Sequence, residues 1–212
     1  MSEALRKIGE IGIIPVVVLN DVKDVEPLAK ALIDGGLPCA EVTFRTDAAE
    51  ESIRIITRQF PELFVGAGTV LTVDQADRAI DAGAKFIVTP GFNPAVVQHC
   101  IDSGITVCPG VCTPTEIEMA LGKGIDTVKF FPAEPMGGLS YIKAVAAPYT
   151  TLKFMPTGGI SVKNVRDYLA YDRILACGGS WMVKGDLIKS GSYDKITELV
   201  REAAAIVKEV RG

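Results

Sequence analysis

Among the side chains of this 212-residue chain that could do covalent chemistry, the most suggestive is Lys129, within Thr127-Val128-Lys129-Phe130-Phe131-Pro132. The stretch reads as a short β-strand: apolar, rich in β-branched and aromatic residues, and stopped by proline. A lysine there either snorkels outward to water, or points inward, loses solvation and becomes a nucleophilic amine. Other groups would complement such an amine. Glu41, Thr43 and Arg45 alternate along one strand and so share a face. Glu41 could move protons. Arg45, a planar cationic fork, and Thr69, a hydroxyl donor, could hold a carboxylate. Gly158-Gly159 and Gly178-Gly179-Ser180 offer bare backbone N–H groups to a phosphate, the first pair where the chain should leave a strand and enter a helix. The implied ligand carries a carboxylate at one end and a phosphate at the other. A ketone beside Lys129 would condense to an iminium ion, which withdraws electrons and lets a neighbouring C–C bond break.

Such residues need a scaffold. Short apolar segments begin near Ile13, Cys39, Leu63, Phe86, Thr106, Thr127, Lys153 and Ile174, at intervals of 20 to 26 residues. Each interval holds one strand and one helix with short loops, the signature of βα units and a parallel sheet. Eight units predict an α/β fold, a closed (β/α)8 TIM barrel, as a single domain over residues 1–212 with a short N-terminal helix and a C-terminal helix. A doubly wound open sheet is the alternative, but no GxGxxG follows the first strand. Thr72-Val-Asp-Gln75 and Thr113-Pro-Thr-Glu116 read as capping boxes, and Asn93 and Ser161 as N-caps. Gly35-Gly36, Gly83, Gly104 and Gly124 mark helix ends. The last helix, Tyr193 to Lys208, spaces Ile196, Leu199, Val200, Ala203 and Ile206 for one buried face.

A barrel does its chemistry at the C-terminal ends of its strands. There the sequence places Glu41, Thr43 and Arg45; Ala67 and Thr69; Pro90; Lys129 and Phe131; Thr157 with Gly158-Gly159; and Gly178 to Ser180. By alternation Val42, Phe44, Val128 and Phe130 face the helices, which turns Glu41 and Lys129 inward. An inward lysine beside a glutamate can be a plain buried ion pair. On a regular strand Glu41 and Arg45 would stand about 13 Å apart. Serving one small substrate therefore requires Arg45 to fold back or the strand to be irregular.

Composition narrows the function classes. Charged residues are 23% and the net charge is −4, which gives no reason to expect nucleic acid. The longest apolar run, Ile13 to Leu19, is too short to cross a bilayer, and Met1 to Gly12 lacks a signal-peptide core, so no membrane role and a cytoplasmic location are expected. Five cysteines without CxxC spacing read as small buried hydrophobes. With His99 the only histidine, in a helix and surface or half-buried, no metal site is expected.

Five segments together resemble the bacterial 2-keto-3-deoxy-6-phosphogluconate (KDPG) and 4-hydroxy-2-oxoglutarate (KHG) aldolases: Glu41-Val-Thr-Phe-Arg-Thr46, Val65-Gly-Ala-Gly-Thr-Val70, Val128-Lys-Phe-Phe-Pro-Ala-Glu134, Pro156-Thr-Gly-Gly-Ile-Ser161 and Gly178-Gly-Ser-Trp181. The resemblance implies a class I aldolase of the Entner–Doudoroff route that cleaves the phosphorylated keto acid reversibly to pyruvate and glyceraldehyde 3-phosphate. It implies that Lys129 forms the Schiff base and Glu41 is the general acid/base. Arg45 and Thr69 would hold the pyruvate carboxylate. Gly158, Gly159 and Ser180 would seat the phosphate, and Thr157 would influence stereoselectivity. No cofactor beyond the covalent Schiff base is implied, and a homotrimer is. Phe44, where the family commonly has an aliphatic residue, should alter packing alone. The alternatives are another phosphosugar TIM-barrel enzyme using Lys129 only as a charge, a non-catalytic binder of phosphorylated keto acids, and an outward Lys129 over a plain core.

Overall fold

Short, mostly buried apolar runs build nine strands, and amphipathic stretches around and between them build ten α-helices. The computed structural model describes all 212 residues, Met1–Gly212. The strands are β1 (Ile13–Val17), β2 (Cys39–Thr43), β3 (Phe64–Gly68), β4 (Phe86–Val88), β5 (Thr106–Cys108), β6 (Gly110–Val111), β7 (Thr127–Phe130), β8 (Lys153–Pro156) and β9 (Cys177–Gly179). The helices are α1 (Glu3–Ile11), α2 (Val25–Asp34), α3 (Ala49–Gln59), α4 (Val73–Asp81), α5 (Pro94–Asp102), α6 (Pro114–Leu121), α7 (Gly138–Ala146), α8 (Val165–Leu169), α9 (Gly185–Lys189) and α10 (Tyr193–Arg211).

Every strand pair is parallel. Six strands form a curled sheet in the order β5-β4-β3-β2-β1-β9, and three form a second in the order β6-β7-β8. This differs from the single eight-stranded sheet expected. The predicted fifth strand is broken at Pro109, between β5 and β6. Proline has no N–H for a ladder, although its carbonyl still accepts from the Lys129 N–H at 2.9 Å. At the opposite margins, isolated parallel bridges pair Phe154 with Ile174 and Thr157 with Gly178.

Alternation sorts the side chains as predicted. On the concave side Ile14, Cys39, Phe86, Val88, Cys108, Met155 and Ala176 pack with Leu5 and Ile8 of α1, which closes the N-terminal end. On the other side Val42, Phe44, Val128 and Phe130 join a cluster of 55 buried residues shared with the helices. α10 buries Ile196, Val200, Ala203 and Ile206 and runs to Arg211, three residues past the expected end. Leu199 is only half-buried.

The Thr113–Glu116 capping box and the Asn93 cap form as predicted. Thr72 accepts from the Gln75 N–H, but Gln75 reaches back to Leu71 instead of to the cap residue. Ser161 caps no helix: α8 begins at Val165, after Asn164. Cys39, Cys100, Cys108 and Cys177 are buried, whereas Cys112 is half-buried, and none is bridged. Burial pushes the Cys100 thiol up to about 11 and the Cys108 and Cys177 thiols to about 12. Half-buried His99 on α5 bonds Asp77 of α4 through Nε2 at 2.6 Å. No helix is long and apolar enough to cross a membrane.

Candidate active site

Lys129 of β7 and Glu41 of β2 come from different sheets and meet across the concave space. Lys129 Nζ lies 3.3 Å from Glu41 Oε1, with the lysine 4% and the glutamate 0% exposed. Glu41 Oε2 is buried without a hydrogen-bond partner. An isolated buried pair of this kind adds little stability, because desolvation offsets attraction. A buried carboxylate oxygen with an open lone pair beside an amine is instead the arrangement proton transfer needs.

Arg45 is exposed and lies beyond β2, which ends at Thr43. The strand does not continue regularly; it turns. Arg45 N–H donates to the Thr43 carbonyl at 2.8 Å, and Phe44 N–H to the Gly68 carbonyl at 2.7 Å. Two threonine hydroxyls fasten this region to β1 and the chain just after it: Thr43 Oγ1 donates to the Val17 carbonyl at 3.0 Å and Thr46 Oγ1 to the Leu19 carbonyl, two residues past β1, at 2.5 Å. The turn leaves Arg45 Nε at a long 3.4 Å from Thr69 Oγ1. Thr69 has φ +57°, an unusual conformation for a β-branched residue. Such strain costs about 1–3 kcal/mol and concentrates where a site needs a particular side-chain direction.

Above this pair opens a cleft of about 200 Å³. Thr43, Arg45, Phe131, Thr157, Gly158-Gly159 and Ser180 line it, together with Val16 and Val18. Thr43 and Phe131 stand two residues past Glu41 and Lys129 on the same faces, so the ion pair is one side-chain layer deeper. Lys129 Nζ sits 5.2 Å from the Phe131 ring centroid. Gly158 (φ +98°) and Gly159 (φ +85°) are both left-handed, a turn open to glycine. The backbone N–H groups of Gly159, Ile160 and Ser180 donate to no protein acceptor, and the Thr157 hydroxyl is buried and unpartnered. The expected helix entry after Gly159 is absent, since α8 starts six residues later and is five residues long. What this end could offer an anion is therefore its open turn amides, and not a helix terminus.

The structure thus gathers Lys129, Glu41, Phe131, Arg45, Thr157, Gly158, Gly159 and Ser180, with Thr69 reached through Arg45. Pro90 is not brought in: it does not line the cleft, and its carbonyl packs against Gly110, where a Cβ would fall 2.2 Å away. Sequence reasoning missed Val16 and Val18, whose apolar run reads as ordinary core. It also missed the spatial role of Gly66 and Gly68. These sit at alternate positions of β3, where a Cβ would strike Phe86 and Glu41 respectively. Two glycines at period two in a strand, where glycine is otherwise unfavourable, were the available signal. No group of three His, Cys, Asp or Glu side chains gathers in the chain. A larger surface groove of about 490 Å³, lined by Trp181, Lys184 and Lys195 among others, holds none of these residues.

Residues 4–199 match the aldolase family described as KDPG and KHG aldolase. The 2-dehydro-3-deoxy-phosphogluconate aldolase of Treponema pallidum is 51% identical over 205 residues, 97% of this chain and 96% of the relative. The KDPG aldolase of Legionella pneumophila, solved with pyruvate captured at low pH as a covalent carbinolamine intermediate, superposes with a TM-score of 0.91 at 36% identity, covering 95% of this chain and 98% of the other. The aldolase of Zymomonas mobilis ZM4 with 3-phosphoglycerate gives 0.87 at 38% identity, covering 95% and 97%. The chain belongs to the KDPG and KHG aldolase family.

Proposed function

We propose that this chain is a Schiff-base aldolase that cleaves 2-keto-3-deoxy-6-phosphogluconate reversibly to pyruvate and glyceraldehyde 3-phosphate, and also acts on 4-hydroxy-2-oxoglutarate. The observation that carries the reading is the amine of Lys129, 3.3 Å from a buried carboxylate and one layer below an anion-friendly cleft. The relatives that hold pyruvate and 3-phosphoglycerate support it. We also read β5 and β6 as one interrupted strand, so that the two sheets close into an eight-stranded barrel forming one domain over residues 1–212. The bridges between β8 and the β9 segment support that closure.

In this mechanism the neutral Lys129 amine adds to the C2 ketone. The carbinolamine loses water and becomes an iminium ion. Glu41, directly or through a water, takes the proton from the C4 hydroxyl. The C3–C4 bond breaks, its electron pair enters the iminium as an enamine, and the aldehyde departs. C3 then takes a proton, and water hydrolyses the iminium to release pyruvate and restore the lysine. Arg45 and Thr69 hold the carboxylate. The open amides of Gly159 and Ser180, with Gly158 shaping the turn, hold the phosphate, and Thr157, at the C4 end, orients the hydroxyl. Phe131 packs over the Lys129 amine. A binder without chemistry would have no use for an amine placed against a proton acceptor. Pyruvate release from the six-carbon substrate, followed with a lactate dehydrogenase couple, tests the reading. Steady release is expected, and its absence with purified folded protein would overturn it.

A further inference from the structure

Beside the cleft, the loop after β7 supports the Gly158-Gly159 turn from behind. Ala133 N–H donates to the Thr157 carbonyl at 2.8 Å and Glu134 N–H to the Gly158 carbonyl at 3.0 Å. The Glu134 side chain passes directly under Gly159, where a Cβ would meet Glu134 Cβ at 2.5 Å. The Glu134 carboxylate is then fixed by a short hydrogen bond from the Tyr168 hydroxyl. Tyr168, on α8, is 2% exposed, so its ring is set by the core. Gly138 leaves room for the pair, since a Cβ there would fall 2.7 Å from Glu134 Oε1 and 3.1 Å from the Tyr168 oxygen.

We propose that Tyr168 is a positioning residue for the phosphate end of the substrate, acting through Glu134. The inference rests on the aldolase reading above and adds a determinant of phosphate affinity to it. The hydroxyl does two things. It holds Glu134 in the place from which its N–H orients the Gly158 carbonyl, and hence the amides that follow. It also ties down a carboxylate that would otherwise stand free beside an anion seat and repel a phosphate.

The test separates phosphate binding from chemistry. In Tyr168→Phe the KM for the phosphorylated substrate should rise about tenfold, as for one lost charge-assisted hydrogen bond. The rate of borohydride trapping of pyruvate, which carries no phosphate, should stay at the wild-type level. Glu134→Gln, whose amide oxygen can still accept from Tyr168, should raise KM less than Tyr168→Phe does. An unchanged KM in Tyr168→Phe would overturn the proposal. So would a parallel loss of pyruvate trapping, which would mark Tyr168 as a general packing residue. Failure of the wild type itself to trap pyruvate would instead overturn the aldolase reading.

Discussion

Glu41 and Gly68 occupy one space between them. A Cβ built on Gly68 falls 2.2 Å from Glu41 Oε1 and 2.6 Å from its Cγ. The carboxylate reaches Lys129 because β3 has no side chain at that point. Unlike Gly158 and Gly159, Gly68 has no left-handed backbone. Alanine there is therefore compatible with the chain path, and its effect should isolate the lost space. Gly68→Ala is expected to lower kcat by about 10–100-fold, a cost of about 1.4–2.7 kcal/mol in the barrier, while circular dichroism shows a folded protein. A wild-type kcat would mean that Glu41 can work from elsewhere.

Thr69 should trade stability for binding. Relieving its φ of +57° returns about 1–3 kcal/mol, against about 0.5–1 kcal/mol for the added chain freedom of glycine. Thr69→Gly is thus predicted to raise the melting temperature by a few degrees and, by removing the hydroxyl beside Arg45, to raise the KM for the keto acid. Calorimetry and steady-state kinetics on the same preparation check both halves. A lower melting temperature with an unchanged KM would contradict them.

Outside the site, Glu50 couples α3 to α4. The Arg78 guanidinium bonded to it at 2.7 Å, aided by Arg54 at 2.6 Å, holds its carboxyl below the ordinary 4.5. A carboxyl depressed in the folded state contributes stability above its unfolded value and loses it as pH falls through the folded one. Glu50→Gln should accordingly cost about 0.5–1 kcal/mol at neutral pH. The difference from wild type should shrink as the pH drops below 4.5. Denaturant titrations at neutral and acid pH measure this, and a pH-independent difference would exclude the ion pair as its cause.

Much of the site was legible because alternation along a strand is a strict rule. Parity alone turned Glu41 and Lys129 inward and Val42, Phe44, Val128 and Phe130 outward. What parity could not show was where strands stop. Arg45 lies past the end of β2, in a turn held by Thr43 and Thr46 hydroxyls bonded to the Val17 and Leu19 carbonyls, contacts more than 25 residues away in sequence. Pro109 splits a strand whose two halves pair with different neighbours, β4 and β7, and no local pattern shows where its missing N–H would have been needed. Gly158-Gly159 suggested a helix entry, yet the Asn164 side chain organises the next five residues instead: its amide donates to the Gly159 carbonyl and its Oδ1 accepts from the Ser161 N–H. The pairing of Glu134 with Tyr168 spans 34 residues and left no local pattern to read.

If Glu41 moves protons and does not form the covalent bond, Glu41→Gln should separate two observables. Turnover should fall by about 10²–10⁴-fold, the usual worth of a general acid/base. Some borohydride-trapped pyruvate adduct should still accumulate, since the amine remains. Unchanged turnover would remove Glu41 from the mechanism.

The central claim is that the Lys129 amine attacks the ketone. Incubation with pyruvate and borohydride, followed by peptide mass mapping, tests it directly. The account predicts a mass gain of one pyruvate plus two hydrogens less one water, on the peptide containing Lys129 and absent in a folded Lys129→Ala variant. No adduct, or an adduct on a different lysine, would contradict it.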